Sequence, residues 1–147
     1  MAKQPPYYYT HRLSWTGDKR GQLAADQLPE ITVAPPPEFA GPPGCWSPEQ
    51  LFVASANACV MATFLAIAAN SQLSFDAYSS SATGKLEKVG AGGLQISEIV
   101  IRVRLSLQQA KDREKARRVL VKAEENCLIS RSMKSRVIVE AEIVVGS

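Results

Sequence analysis

Residues 50–75 contain no Asp, Glu, Lys or Arg. A stretch of that length without charge must either cross a membrane or be buried against other apolar surface. Ser55, Asn57, Thr63, Asn70, Ser71 and Gln72 interrupt it, and many of its apolar positions are alanine. Small side chains suit close packing between elements, so the reading is a buried helix with no membrane partner. Its start is written in Ser47-Pro48-Glu49-Gln50. Serine caps, proline takes the first helical position, glutamate complements the helix dipole, and glutamine completes a capping box. The helix is expected to run to about Asn70. Because apolar or small residues occupy nearly its whole circumference, it must be covered on most sides and is the central helix of the fold.

The segments around it read as strands, one further helix and loops. Residues 7–15 are rich in tyrosine and threonine and form a strand that enters a turn at Thr16 and Gly17, with a second short strand at 30–33. Five prolines and Gly41 within residues 35–43 exclude a helix interior or a central strand, leaving a surface loop. Residues 75–86 and 94–107 favour strands joined across Gly90-Ala91-Gly92-Gly93. In the second of these, Ile99, Ile101, Val103, Leu105 and Leu107 mark one buried face. A helix over 112–126 carries Ala116, Val119, Leu120, Ala123 and Cys127 on one inward stripe. A half-buried strand over 136–145 closes the chain. The expectation is an α+β fold in a single domain spanning 1–147, since 147 residues with 46% hydrophobic content can build one core.

Composition removes several function classes. A net charge of +3, with Lys and Arg spread along the chain, gives no footprint for nucleic acid. Residues 1–10 lack the cationic start and apolar run of a secretory signal, so the expected location is cytoplasmic. The only histidine is His11, and neither Cys-x-x-Cys nor a glycine-rich phosphate loop is present. Zinc hydrolysis and Ser-His catalysis are therefore not expected, and neither is a metal or a cofactor.

What remains is the set Cys45, Cys59 and Cys127. Three cysteines in a cytoplasmic chain leave two readings, plain burial as small hydrophobes or thiol chemistry. Cys59 lies mid-way along the apolar helix and Cys127 on the inward stripe of another, so neighbouring helices could bring their sulfurs together. Chemistry would need Cys59 as a thiolate, and burial opposes that unless a cation sits beside it. Arg20, or Lys19 beside it, is the candidate, in the turn Gly17-Asp18-Lys19-Arg20-Gly21; the alternative is a solvated charged hairpin. Glu49 could orient that cation or act only as a helix-start carboxylate. It lies about 15 Å along the helix axis from Cys59. An arginine touching both would take at least one of those contacts from a second chain.

Ser47-Pro48-Glu49-Gln50-Leu51-Phe52, then Ala58-Cys59, then Cys127-Leu128-Ile129-Ser130 resembles the OsmC/Ohr family of thiol peroxidases active on organic hydroperoxides. The resemblance extends from about Trp15 to the C-terminus and includes Tyr78 and Gly84. It implies an OsmC-like α/β sandwich with a long buried central helix, assembled as an intertwined homodimer. It also implies that Cys59 is the peroxidatic cysteine, Cys127 the resolving cysteine, Glu49 the carboxylate and Arg20 the arginine. The expected activity is reduction of alkyl or fatty-acid hydroperoxides through a Cys59 sulfenic acid and a Cys59–Cys127 disulfide, reopened by a dithiol reductant such as one of lipoyl type. Phe39, Phe52, Met61 and Phe64 are the expected apolar pocket. The family pattern places its arginine two positions before a turn glycine, where this chain has Lys19. The proline-rich loop differs from that pattern, and Cys45 has no counterpart in it. The rival readings are a slow-turnover redox-sensing or ligand-binding member of the same fold, and a structural dimer whose cysteines are merely buried.

Overall fold

The computed structural model describes residues 4–146. The fold is the mixed α+β arrangement expected, with helices and two three-stranded sheets. The chain divides into two compact units, one ending at Leu51 and one beginning at Phe52.

In the N-terminal unit, strands β1 (Arg12–Gly17), β2 (Arg20–Ala24) and β3 (Ile31–Val33) form an antiparallel sheet in that order. β1 starts at Arg12 rather than at residue 7 and runs through Thr16 and Gly17. Its partner is the limit: Arg12 pairs with Ala24, the last residue of β2, so residues 7–11 have no ladder to join. Positive φ at Gly17 (121°) and Asp18 (48°) turns the chain from β1 into β2. The proline segment is the expected loop, tightened by one 3-10 turn at Pro37–Phe39. Gly41 closes it by donating to Pro36 O at 3.1 Å, and a Cβ there would lie 1.7 Å from Pro35 O, so only glycine fits. Ala34 N–H then donates to Trp46 O at 2.9 Å, holding the end of the loop beside β3.

Helix α1 spans Pro48–Asn70, the length expected. Ser47 Oγ accepts the Gln50 N–H at 3.0 Å, an N-cap of the kind that contributes about 1 kcal/mol. At its far end Gln72 takes φ 55°, Leu73 N–H donates to Ala68 O and Gln72 N–H to Ala69 O, so non-glycine residues complete a Schellman stop. Within the chain only the stripe Ala56, Val60, Phe64 and Ala68 is buried. Phe52, Met61 and Leu65 remain 38%, 39% and 43% exposed, so the cover expected on the opposite side is not supplied by the helix's own chain. By length and composition α1 could cross a membrane, with a mean hydropathy of 2.0 in its most apolar window. Its polar Asn57 nevertheless bonds to a strand of its own chain, as a core helix would.

That strand is β4 (Ala77–Lys88), which pairs antiparallel with β5 (Leu94–Leu107), and β5 pairs in parallel with β6 (Arg136–Val145). β4 begins two residues later than expected because Phe75 turns into the core, its ring 5.3 Å from that of Phe64. The parallel β5–β6 pair requires a crossover, which α2 (Arg113–Glu125) provides, followed by the four-residue helix α3 (Leu128–Arg131). Ile99, Ile101, Val103, Leu105 and Leu107 form the buried face of β5 and join Ala116, Val119, Leu120 and Ala123 of α2 and the α1 stripe in one core. α2 is tied to β6 by Arg113 Nη1, which donates to Ile143 O at 2.9 Å, and by Glu124 Oε2, which accepts the Val139 N–H at 3.1 Å.

Three contacts seat α1 on β4. Phe64 packs on Tyr78 with ring centroids 5.1 Å apart, Ser80 Oγ donates to Asn57 Oδ1 at 2.8 Å, and Gly84 passes beneath Val53. A Cβ at Gly84 would meet Val53 Cγ2 at 2.4 Å. Valine in a helix has one strongly preferred rotamer and cannot swing away. Gly84→Ala should therefore cost about 1–3 kcal/mol in denaturant unfolding at fixed protein concentration. Pairing it with Val53→Ala should recover part of the loss; an unchanged midpoint in the single variant would show that α1 does not sit this close.

Candidate active site

Cys59 sits on the flank of the buried α1 stripe, partly accessible and packed against the core of the C-terminal unit. One turn on, Thr63 Oγ1 donates to Cys59 O at 2.8 Å and lies 3.9 Å from Cys59 Sγ. Cys127 is buried. It does not continue the α2 stripe as a helical residue: α2 ends at Glu125, and Cys127, with φ −71° and ψ 114°, is the extended residue that precedes α3. A helix start leaves its first amides without intrahelical acceptors. Here the Cys127 side chain does not cap them, and the amides of Leu128 and Ile129 hydrogen-bond to Cys59 instead.

These donors favour the ionised form of Cys59. Burial by itself pushes its thiol up, but the Ile129 amide, the Cys127 thiol, the Thr63 hydroxyl and the Leu128 amide together outweigh burial and hold it below its ordinary value. The groups that lower it here are peptide and side-chain dipoles, which add to whatever a neighbouring cation would contribute. Tyr78 has the opposite environment: burial pushes its phenol up to about 12, and its hydroxyl has no partner among the described residues.

Cys59 and Cys127 thus share one core and interact electrostatically, whereas Arg20 and Glu49 lie in the N-terminal unit and are not paired with each other. Arg20, the first residue of β2, is half-exposed, with Nη1 3.7 Å from Asp18 Oδ2. It borders a recess of about 290 Å³ lined by Leu13, Trp15, Val33 and Pro35. Lys19 donates from Nζ to Ala40 O at 3.1 Å, which ties it to the proline loop and leaves Arg20 the less committed cation. Glu49 Oε1 is buried with no hydrogen-bond partner among the described residues. Cys45 is a partly exposed free thiol in the same unit.

Of the residues expected to line an apolar pocket, Phe64 is fully buried in the core against Phe75 and Tyr78. Phe52 and Met61 border the open side of α1, and Phe39 belongs to the 3-10 turn of the other unit. The residues that sequence reasoning missed are Thr63 and the pair Leu128 and Ile129. Thr63 was discoverable from its position four after Cys59. The two amides carry no side-chain signal. Among the described residues no group of three His, Cys, Asp or Glu could hold a metal.

Fold and site together define a mixed α+β protein with a lowered thiol on its long apolar helix and a second thiol hydrogen-bonded to it. The profile of the OsmC-like protein family matches residues 41–142, and the chain belongs to that family. The match includes Glu49, Cys59 and Cys127 and begins after Arg20. No curated protein matches the chain. Among solved structures it is similar to an OsmC-like protein of unknown function from Vibrio cholerae, with a TM-score of 0.84 at 21% identity over 93% of this chain and 100% of that one. It is also similar to the organic hydroperoxide resistance protein OsmC from Legionella pneumophila, with a TM-score of 0.68 at 24% identity over 95% and 100% of the two chains. The organic hydroperoxide resistance protein OhrB of Bacillus subtilis gives 0.65 at 25% identity over 92% and 98%.

Thiolate is the form that reacts with alkylating agents. With its pKa lowered, Cys59 should remain reactive at pH values where the same thiol in the denatured chain has become protonated. Site-resolved iodoacetamide labelling against pH should place the Cys59 midpoint below the denatured reference. Cys127→Ala, which removes a donor, should move it up, and Cys127→Ser should stay closer to wild type. Coincident midpoints in folded and denatured chains would refute the dipole arrangement.

Proposed function

We propose that this protein is a cysteine-based peroxidase that reduces organic hydroperoxides to alcohols. The observation that supports this most directly is the lowered Cys59 thiol hydrogen-bonded to Cys127. The Cys59 thiolate attacks the distal oxygen of the hydroperoxide. An S–O bond forms, the O–O bond breaks, and the alkoxide leaves as alcohol after taking a proton. The Cys59 sulfenic acid then condenses with Cys127, releasing water and giving a disulfide. A dithiol, for example of lipoyl type, reopens it by two exchange steps.

Arg20 is assigned the developing charge on the leaving oxygen, and Glu49 the orientation of its guanidinium. The buried, unpartnered Glu49 Oε1 supports this, because a carboxylate oxygen out of water calls for a donor. The protein is proposed to act as a homodimer, each chain functioning as one domain. The open side of α1, bordered by Phe52 on one edge and Met61 and Leu65 on the other, would then be covered by a second copy, and a second chain is the source expected to complete the Arg20 and Glu49 contacts. The names of the Legionella and Bacillus proteins carry organic hydroperoxide resistance to this chain as support for the substrate class. A cytoplasmic location goes with dithiol recycling.

One equivalent of an organic hydroperoxide should convert the wild type to an intrachain Cys59–Cys127 disulfide, read by non-reducing mass analysis. Cys127→Ser should stop at a trappable sulfenic acid, and Cys59→Ser should not react. Steady-state consumption with a dithiol should continue over many turnovers. A single oxidation that then stalls would identify a redox sensor, and unreactive thiols would identify a structural dimer.

A further inference from the structure

Thr63 has one hydroxyl proton and two acceptors within reach. Oγ1 donates to Cys59 O at 2.8 Å and stands 3.9 Å from Cys59 Sγ. The carbonyl does not depend on that proton. Thr63 is four residues after Cys59 within α1, so its own main-chain N–H supplies the helical bond to Cys59 O. The hydroxyl bond is a second, supplementary one, of the kind serine and threonine make back onto the preceding turn. Releasing it leaves no orphaned group, and turning the proton requires only rotation about Cβ–Oγ1. A charged sulfur is a better acceptor than a peptide oxygen that is already satisfied, because hydrogen bonds to ionised groups are roughly twice as strong as neutral ones.

We propose that Thr63 is a positioning residue for Cys59, its hydroxyl passing from the Cys59 carbonyl to Sγ as the thiol ionises and holding the sulfur toward Cys127 and the start of α3. The geometry suits this role because the observed rotamer already places Oγ1 against both the carbonyl and the sulfur of Cys59. Of the titratable groups nearby, Cys127 and Tyr78 of β4 belong to the same packed core as Cys59, and Arg131 ends α3 at the surface. Tyr78 stays uncharged across the range in which a thiol titrates. The role deepens the peroxidase reading and rests on Cys59 as the reacting thiol, but its primary readout is ionisation, which needs no peroxide.

The test uses the full chain with Thr63→Val, which keeps the shape and removes the hydroxyl, and Thr63→Ser, which keeps the hydroxyl. Cys59 labelling by iodoacetamide is followed by site-resolved mass analysis from acid to alkaline pH. Thr63→Val should raise the midpoint, so that below it labelling falls about threefold to tenfold, the range expected for the net loss of one ordinary hydrogen bond. Well above both midpoints the rates should converge. Thr63→Ser should return the profile to within about twofold of wild type. If Thr63→Val does not fold, Thr63→Ala gives the same comparison with serine. An unchanged midpoint, or a loss of equal size at every pH, would overturn the proposal, the latter marking a packing role. A shifted midpoint in a protein that consumes no peroxide would uphold Thr63 while removing the peroxidase reading.

Discussion

The close seating of helix α1 on strand β4 is the constraint on which the rest of the C-terminal unit depends. Val53 lies over Gly84, Asn57 accepts from Ser80, and Phe64 packs on Tyr78. These contacts fix both the rotation and the height of the helix, because an apolar surface alone would permit α1 to turn about its axis. Gly84 provides the room, the Ser80–Asn57 bond provides direction, and the aromatic pair anchors the C-terminal half. Cys59 is carried between these anchors, so its sulfur is located by packing several ångströms away from any reacting group.

Much of this was legible in residue order. The start of α1 is encoded locally by Ser47-Pro48, and its expected end at Asn70 matches, although the stop is made by Gln72 at positive φ, which no glycine announced. The alternation in β5 identified its buried residues because a strand with one covered face must repeat every second position. The misreadings have physical causes. Phe64 was expected in a pocket because a helix that is apolar on all sides gives no hint of which face meets the core. Residues 7–11 have strand composition, but β2 is too short to pair with them. Helix α3 has four residues, too few to show a period, and its contribution to Cys59 comes from backbone amides that every residue possesses.

Four dipolar donors outweigh burial at Cys59 and lower its thiol. The break between α2 and α3 exposes amides that the helices themselves cannot satisfy, and the sulfur of another helix receives them. Net neutrality of the donors has a benefit for a nucleophile: dipoles stabilise the anion without forming an ion pair that would have to be broken during attack. In the proposed division of labour, Arg20 is assigned to the leaving oxygen.

The ties between α2 and β6 have a further consequence for how this sheet can grow. Glu124 occupies the Val139 N–H and Arg113 the Ile143 carbonyl, so β6 presents charged side chains where an incoming strand would need free main-chain groups. β5 is already paired on both sides. The two edges of this sheet therefore differ: two main-chain groups on the outer side of β6 are already engaged by side chains of the crossover helix, and β4 forms the other edge over twelve residues.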